Sequence, residues 1–286
     1  MARRGACAPI FNPSPPRIEA RVRTVAAIRY VTPLREGGSL PAVIEADDDG
    51  LYVLKFRGAG QGAKALIAEL VAGEIARALD LPIPEIVFVE LDIDLARTEP
   101  DPEIQDLIRA SGGLNLGMDY LSGALAFDPI ADPPDAWLAS RIVWFDAFVT
   151  NLDRSARNTN MLVWHRKLWL IDHGAALYFH HAGLGDQAAA TSPFALIRDH
   201  VLLPAASRIA EVDAGMAARL PREALESIVG LVPDAWLVEA ESHTPDPNEP
   251  RSPAERRSAY VDHFVRRLAA PRTFVTEAVR ARDAHV

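Results

Sequence analysis

Short extended runs fill the first 120 or so residues of this 286-residue chain, and helical periods fill most of the rest. That segregation constrains the fold more than any other feature. Strands close together in sequence pair with one another, and helices that come afterwards pack beside the sheet. The pattern therefore implies an α+β protein and not an alternating α/β one. The first strand signals are Val22–Val31, Pro41–Ala46 and Leu51–Phe56, separated by turns at Arg35–Leu40 and Asp47–Gly50. They read as an antiparallel meander. Ala63–Leu79 is a helix, with Leu66, Leu70, Ile75 and Leu79 mostly at helical spacing, and the prolines of Asp80–Pro84 stop it. Ile86–Leu91 and Leu114–Tyr120 are extended. Between them lie a loop, Thr98–Pro102, and a short helix or turn, Ile104–Ala110.

The texture changes near Tyr120–Gly123. Trp137–Thr150 reads as a helix whose Leu138, Ile142, Phe145 and Val149 form one apolar stripe. An apolar hairpin follows, Asn160–Trp164 with Leu168–Ile171. Further helices are expected over Phe194–Leu203, Ala205–Ala210, Arg222–Val229, Ala254–Ala269 and Arg272–Arg282, with loops at Gly183–Ser192 and His243–Pro253. The implied division is an arm (1–20), a strand-rich lobe carrying one helix (21–120) and a mostly helical lobe (121–286).

Composition excludes several function classes. A formal net charge of −9 argues against broad nonspecific nucleic-acid binding, which needs Lys and Arg against phosphates. The single cysteine, Cys7, allows neither an internal disulfide nor a cysteine zinc site, and fits a reducing cytoplasm. The N-terminus lacks the apolar stretch of a secretory signal, and no uncharged run of about 18 apolar residues suggests a membrane span.

The chemistry concentrates in Thr150–Ala175, T-N-L-D-R-S-A-R-N-T-N-M-L-V-W-H-R-K-L-W-L-I-D-H-G-A. Asp153, Asn158 and Asn160 precede the hairpin and Asp172 follows it, so the turn of the chain returns both acids to one place. Phosphoryl transfer needs such a set: one carboxylate for the acceptor hydroxyl, an amide and a second carboxylate for Mg²⁺. The D-x-x-x-x-N spacing followed by hydrophobic-D-x-G matches a kinase catalytic loop and metal loop. Lys55, in L-Y-V-L-K-F-R, shares a strand face with Val53 and Arg57. It either reaches nucleotide phosphates or faces solvent. Glu69 or Glu74 could pair with it, Glu69 being favoured as the one in the first half of its helix. Gly37, Gly38 and Ser39 form a turn whose backbone could approach phosphate. His173, His180 and His181 lack a metal-binding spacing and read as neutral loop histidines. A rival motif is G-A-G-Q-G-A, Gly58–Ala63, which fits a dinucleotide-binding turn with Glu90 as the ribose acid. Against it, the preceding strand carries Lys55 and Arg57, and the later pattern does not alternate.

Taken together, Lys55, Glu69, Asp153, Asn158 and Asp172 resemble the HipA-like kinases, related to the phosphoinositide-kinase side of the protein-kinase-like fold. The resemblance runs from about Val22 to Leu203 and is most specific in Y-V-L-K-F-R-G, A-E-L-V-A-G-E-I-A-R-A-L-D-L-P-I-P and N-L-D-R-S-A-R-N-T-N-M-L-V with I-D-H-G-A-A-L. It implies a bilobal kinase that uses ATP and Mg²⁺ and phosphorylates a hydroxyl, a protein Ser or Thr before a small molecule or lipid headgroup. It implies that Lys55 contacts the phosphates with Glu69 as partner, and that Gly37, Gly38 and Ser39 cover them. Met118, Asp119, Tyr120 and Leu121 would receive adenine. Asp153 would be the catalytic base, with Asn158 and Asp172 as metal ligands and Asn160 as their neighbour. Ser155 departs from the family, which often has His there, and D-H-G replaces D-F-G. A nucleotide-binding module without turnover is the alternative, and an antitoxin-like partner stays open.

Overall fold

Strand alternation decides the first half of the molecule. The computed structural model describes residues 22–34, 40–60, 62–184, 188–240 and 250–285. Strands β1 (Thr24–Pro33), β2 (Ala42–Ala46) and β3 (Leu51–Lys55) pair antiparallel in succession, as the meander reading expects. Helix α1 (Ala63–Ala78), strand β4 (Ile86–Leu91), helix α2 (Pro102–Ala110) and strand β5 (Gly113–Asp119) follow. The sheet then departs from a meander. β5 inserts between β3 and β4, antiparallel to both, and β1 pairs in parallel with β4 over Thr24–Ala26, closing a five-stranded barrel. Closure removes the unpaired edges that an open sheet would leave. Register shifts in β1 between Ala27 and Arg29 and between Tyr30 and Thr32 bend that strand, so that one strand serves both β2 and β4.

Tyr52, Leu54 and Phe56 point into the barrel with Ile44, Val87 and Val89. Gly117 lies where β5 crosses this interior, and a Cβ there would sit 2.7 Å from Val89 Cγ2. The opposite face of the barrel wall carries Lys55, Leu116, Met118 and Ile86. The last three join the core of α1.

The second half comprises β6 (Leu125–Ala126), α3 (Ala136–Phe148), β7 (Met161–Trp164), β8 (Lys167–Leu170), α4 (Ile209–Ala218), α5 (Arg222–Gly230), α6 (Asp234–Glu239), α7 (Pro253–Leu268) and α8 (Thr273–Asp283). β6, β7 and β8 form a separate antiparallel sheet. α3 is not the one-striped helix that its spacing suggests. Every residue from Ile142 to Phe148 is buried, because α4, α8 and the turns of 195–205 surround it. The helix expected over Phe194–Leu203 is two 3₁₀ turns, Ala195–Asp199 and Leu203–Ala205. They part at His200, whose backbone is extended and bridges Ser155. The helix expected at Ala205–Ala210 begins instead at Ile209. α1 packs against α5 and α6 as well as the barrel, and Trp236 of α6 reaches the barrel directly, donating to Leu114 O and meeting Phe88 edge-on.

The dinucleotide-binding alternative is ruled out by topology. Such a unit needs β3 parallel to its neighbours, whereas both β2 and β5 run antiparallel to it. Among the described residues no helix is long and apolar enough to cross a membrane.

Candidate active site

β3 and α1 place the first pair of groups. Lys55 leaves the barrel wall on the face opposite Tyr52 and Leu54 and meets α1, which sits flat against that face. Its Nζ is 2.5 Å from Glu69 Oε2 and 2.5 Å from Asp172 Oδ1. The lysine side chain is 13% exposed and Glu69 is 1% exposed, so the solvent-facing alternative for Lys55 does not hold. Burial pulls the lysine down, but the charges of Glu69 and Asp172 outweigh it and hold Lys55 above its ordinary value. For Glu69, burial would raise the carboxyl; Lys55 and the bonds from His173 hold it well below the usual range. Glu74 takes another partner, Arg77, at 3.2 Å. Burial raises its carboxyl above the ordinary value.

The hairpin places the second pair. β7 and β8 are in register from Met161–Leu170 to Trp164–Lys167, and Ile171 N donates to Asn160 O at 3.1 Å just beyond the ladder. Asn160 and Asp172 therefore leave the hairpin side by side. Asn160 Nδ2 donates to Asp153 O at 2.8 Å and stands 3.4 Å from Asp153 Oδ2. Asp172 and Asn160 both have left-handed backbone, φ 54 and 46. Residues other than glycine adopt that region only when neighbours hold them there.

A buried hub fixes the loop of residues 150–160 from below. Asp146, on α3, is fully buried and accepts from Asn151 Nδ2 at 2.8 Å, Arg154 Nε at 2.7 Å and His200 Nε2 at 2.9 Å. Asn151 Oδ1 in turn accepts from Asp153 N, and Arg154 Nη1 donates to Asn160 O. Burial would raise Asp146; the Arg154 charge and the His200 and Asn151 bonds hold it far below the usual carboxylate range. Ser155, the departure from the family, forms an isolated β-bridge with His200.

Of the sequence-derived residues, the structure brings Lys55, Glu69 and Asp172 into direct contact and sets Asp153 against Asn160. Asn158 is exposed, and its backbone exchanges hydrogen bonds with Ser155 in a tight turn. Leu116 pairs with Lys55, Met118 with Val53 and Asp119 with Tyr52, so the Met118–Leu121 segment continues β5 away from Lys55, beside the start of β3. Met118 and Leu121 are each 6% exposed, and Tyr120 N donates to Leu51 O. Gly37, Gly38 and Ser39 lie outside the described residues. His173, read as a loop histidine, is fully buried and bonded to Glu69. Asp146, Asn151 and His200 went unnoticed. The one available signal was an acid within the apolar run W-F-D-A-F, since a buried Asp requires partners.

Comparison with known proteins bears on family and fold. A family model described as HipA-like kinase matches residues 27–250. The solved structure of a Helicobacter pylori proinflammatory kinase, CtkA, is 11% identical, covers 93% of this chain and 99% of that chain, and superposes with a TM-score of 0.50, a likeness of fold. Two structures of the Golgi casein kinase, one with Mn/ADP bound, are each 10% identical with TM-scores of 0.46 and 0.45. They cover 91% and 92% of this chain and 73% and 74% of their own chains. No curated protein matches the sequence. The family model spans well over half of the sequence, and this chain belongs to the HipA-like kinase family.

Proposed function

We propose that the protein transfers the γ-phosphoryl group of Mg²⁺-ATP to a hydroxyl, a Ser or Thr of a protein as the family resemblance implies. The nucleotide would lie between a strand-rich lobe, 21–120, and a helical lobe, 121–286. The observation that carries the reading is the meeting of Lys55 Nζ with both Glu69 and Asp172 at 2.5 Å, across 117 residues of sequence in the second case. These groups must meet one nucleotide in phosphoryl transfer.

Asp172 supplies a hard carboxylate oxygen. Asn160 turns its Nδ2 to Asp153, which leaves its carbonyl oxygen directed elsewhere. An acid and an amide oxygen suit a hard divalent cation that shares its shell with phosphates and water. Asp172 would hold it, with Asn158 or Asn160 supplying the amide oxygen. A bound cation would neutralise charge on the transferring phosphoryl group. Lys55 would pair with the phosphates and Glu69 would hold Lys55 in place. Asp153 would accept or orient the acceptor's proton, fixed by Asn160 and by the Asn151 cap on its backbone. The Met118–Leu121 segment would meet the base. Catalysis would consist of positioning and charge stabilisation.

The test is autophosphorylation and ATP hydrolysis with Mg²⁺ for wild type, Asp153→Asn and Asp172→Asn. Losing a positioned acid–base group lowers turnover by about 10²–10⁴-fold, and losses of that size are expected in both variants. Unchanged turnover in both would refute the assignment. Mg²⁺-ATP binding without turnover by the wild type would favour a nucleotide-binding module.

A further inference from the structure

Glu69 has two carboxylate oxygens, and the fold gives them different partners. Oε2 accepts from Lys55 at 2.5 Å. Oε1 accepts from the backbone N–H of His173 at 3.0 Å and lies 3.2 Å from its Nδ1. An ionised carboxylate only accepts, so Nδ1 carries the proton and Nε2 is bare. The surroundings agree: Nε2 is buried without a hydrogen-bond partner, and the ring packs edge-on against Phe145 with centroids 5.8 Å apart. Asp172, one peptide away, returns to Lys55. Four residues close a ring: Lys55 to Glu69, Glu69 to His173, His173 to Asp172, Asp172 to Lys55.

One link of that ring is incompatible with chemistry at this site. Bound phosphates and a cation would draw on Lys55 and Asp172, at the expense of their mutual contact. Asp172 sits in left-handed backbone, which does not hold itself. We propose that His173 is a positioning residue, whose Nδ1–H bond to Glu69 keeps the Asp172 loop fastened to α1 while Asp172 exchanges Lys55 for its ligands. The inference rests on the phosphotransferase reading, and it gives the histidine ring of D-H-G a second bond to Glu69 beside the one the backbone N–H makes.

The test compares His173→Asn, His173→Gln and His173→Leu. Asn can present an amide N–H near the place of Nδ1, Gln presents one near Nε2, and Leu presents none. The first readout is hydrogen exchange, by mass spectrometry, of peptides covering 169–176 in the protein without nucleotide. A hydrogen bond to a charged group is worth about ten- to one-hundred-fold in an opening equilibrium. Exchange should accelerate by that factor in the Leu and Gln variants and stay near wild type in Asn. The second readout is kinetic: kcat should fall, and the Mg²⁺ concentration for half-maximal rate should rise, in Leu and Gln, with Asn restoring most of both. In a Glu69→Gln background the His173 substitutions should add little.

Equal exchange in the Asn and Gln variants, or wild-type exchange in Leu, would overturn the proposal. That Asn–Gln contrast decides the matter even if His173→Leu fails to fold. A wild type that never turns over but shows the expected exchange pattern would sink the phosphotransferase reading and support the His173 tie.

Discussion

Asp146→Asn tests whether the loop of residues 150–160 is held from beneath by one buried charge. In the wild type the carboxylate accepts from Asn151, Arg154 and His200 at 2.7–2.9 Å with no solvent contact. The amide keeps one acceptor oxygen and sets an N–H₂ against groups that are themselves donors, leaving the Arg154 charge uncompensated. Breaking a buried pair in this way costs about 3–5 kcal/mol, a large part of the roughly 5–15 kcal/mol that stabilises a domain. At about 2 °C per kcal/mol for a chain of this size, the melting temperature should fall by about 6–10 °C. Circular dichroism melts would measure it, and hydrogen exchange should rise first in 150–160, where Asn151 and Arg154 make their contacts. The pH dependence adds a sign. Asp146 is held below its ordinary value of 3.8 in the folded state, burial being outweighed by Arg154, His200 and Asn151. Its contribution is therefore complete above about pH 4 and drains away as pH falls below that. The gap between wild type and variant should be widest near neutrality and narrow in acid. A drop of less than about 2 °C at pH 7, or a gap that widens in acid, would refute the hub.

Two further predictions concern packing and a second buried titratable group. A Cβ at Gly73 would lie 2.3 Å from Ile86 Cδ1, so Gly73→Ala should lower stability by about 1–3 kcal/mol despite the better helix former. Ile86→Val, which removes that atom, should restore most of the loss; a double variant no more stable than Gly73→Ala would show that the clash is not the cause. Burial, reinforced by the Arg267 and Arg266 charges, lowers His263 to about 3, and its ring stacks on Phe179 at 3.5 Å. Its folded value lies below the unfolded one, so stability is intact above about pH 6.5 and is lost below it, by about 2 kcal/mol at pH 5. His263→Phe should flatten the fall in melting temperature between pH 7 and pH 5, and an unchanged fall would exclude His263 as its source.

Local periodicity carried a good part of the fold. Ile86–Leu91 is a strand with the limits its alternation gives, α1 ends one residue short of the expected Leu79, and the hairpin around His165–Lys167 turns where its polar residues say. Alternation also put Lys55 on the face opposite Tyr52 and Leu54. It could not say what covers that face, because a strand specifies two sides and not their environments. α1 supplies the cover, and with it Glu69. The helix at 194–203 failed because His200 is extended and bridges Ser155, a tertiary contact that apolar spacing cannot register. Asn158 and Asn160 mark the same boundary within the site. A count from Asp153 selects Asn158, while the fold after the Ser155–Asn158 turn sets Asn160 against the acid. The His173–Glu69 and Asp146–His200 contacts lay beyond such counting, since they join residues 104 and 54 apart. The sequence by itself determined the order of strands and helices and the acids that flank the hairpin, because those follow from neighbours along the chain. Only the tertiary structure decided which polar groups face one another, because a buried hydrogen bond joins whatever the packing of β3, α1, α3 and the hairpin brings within about 3 Å.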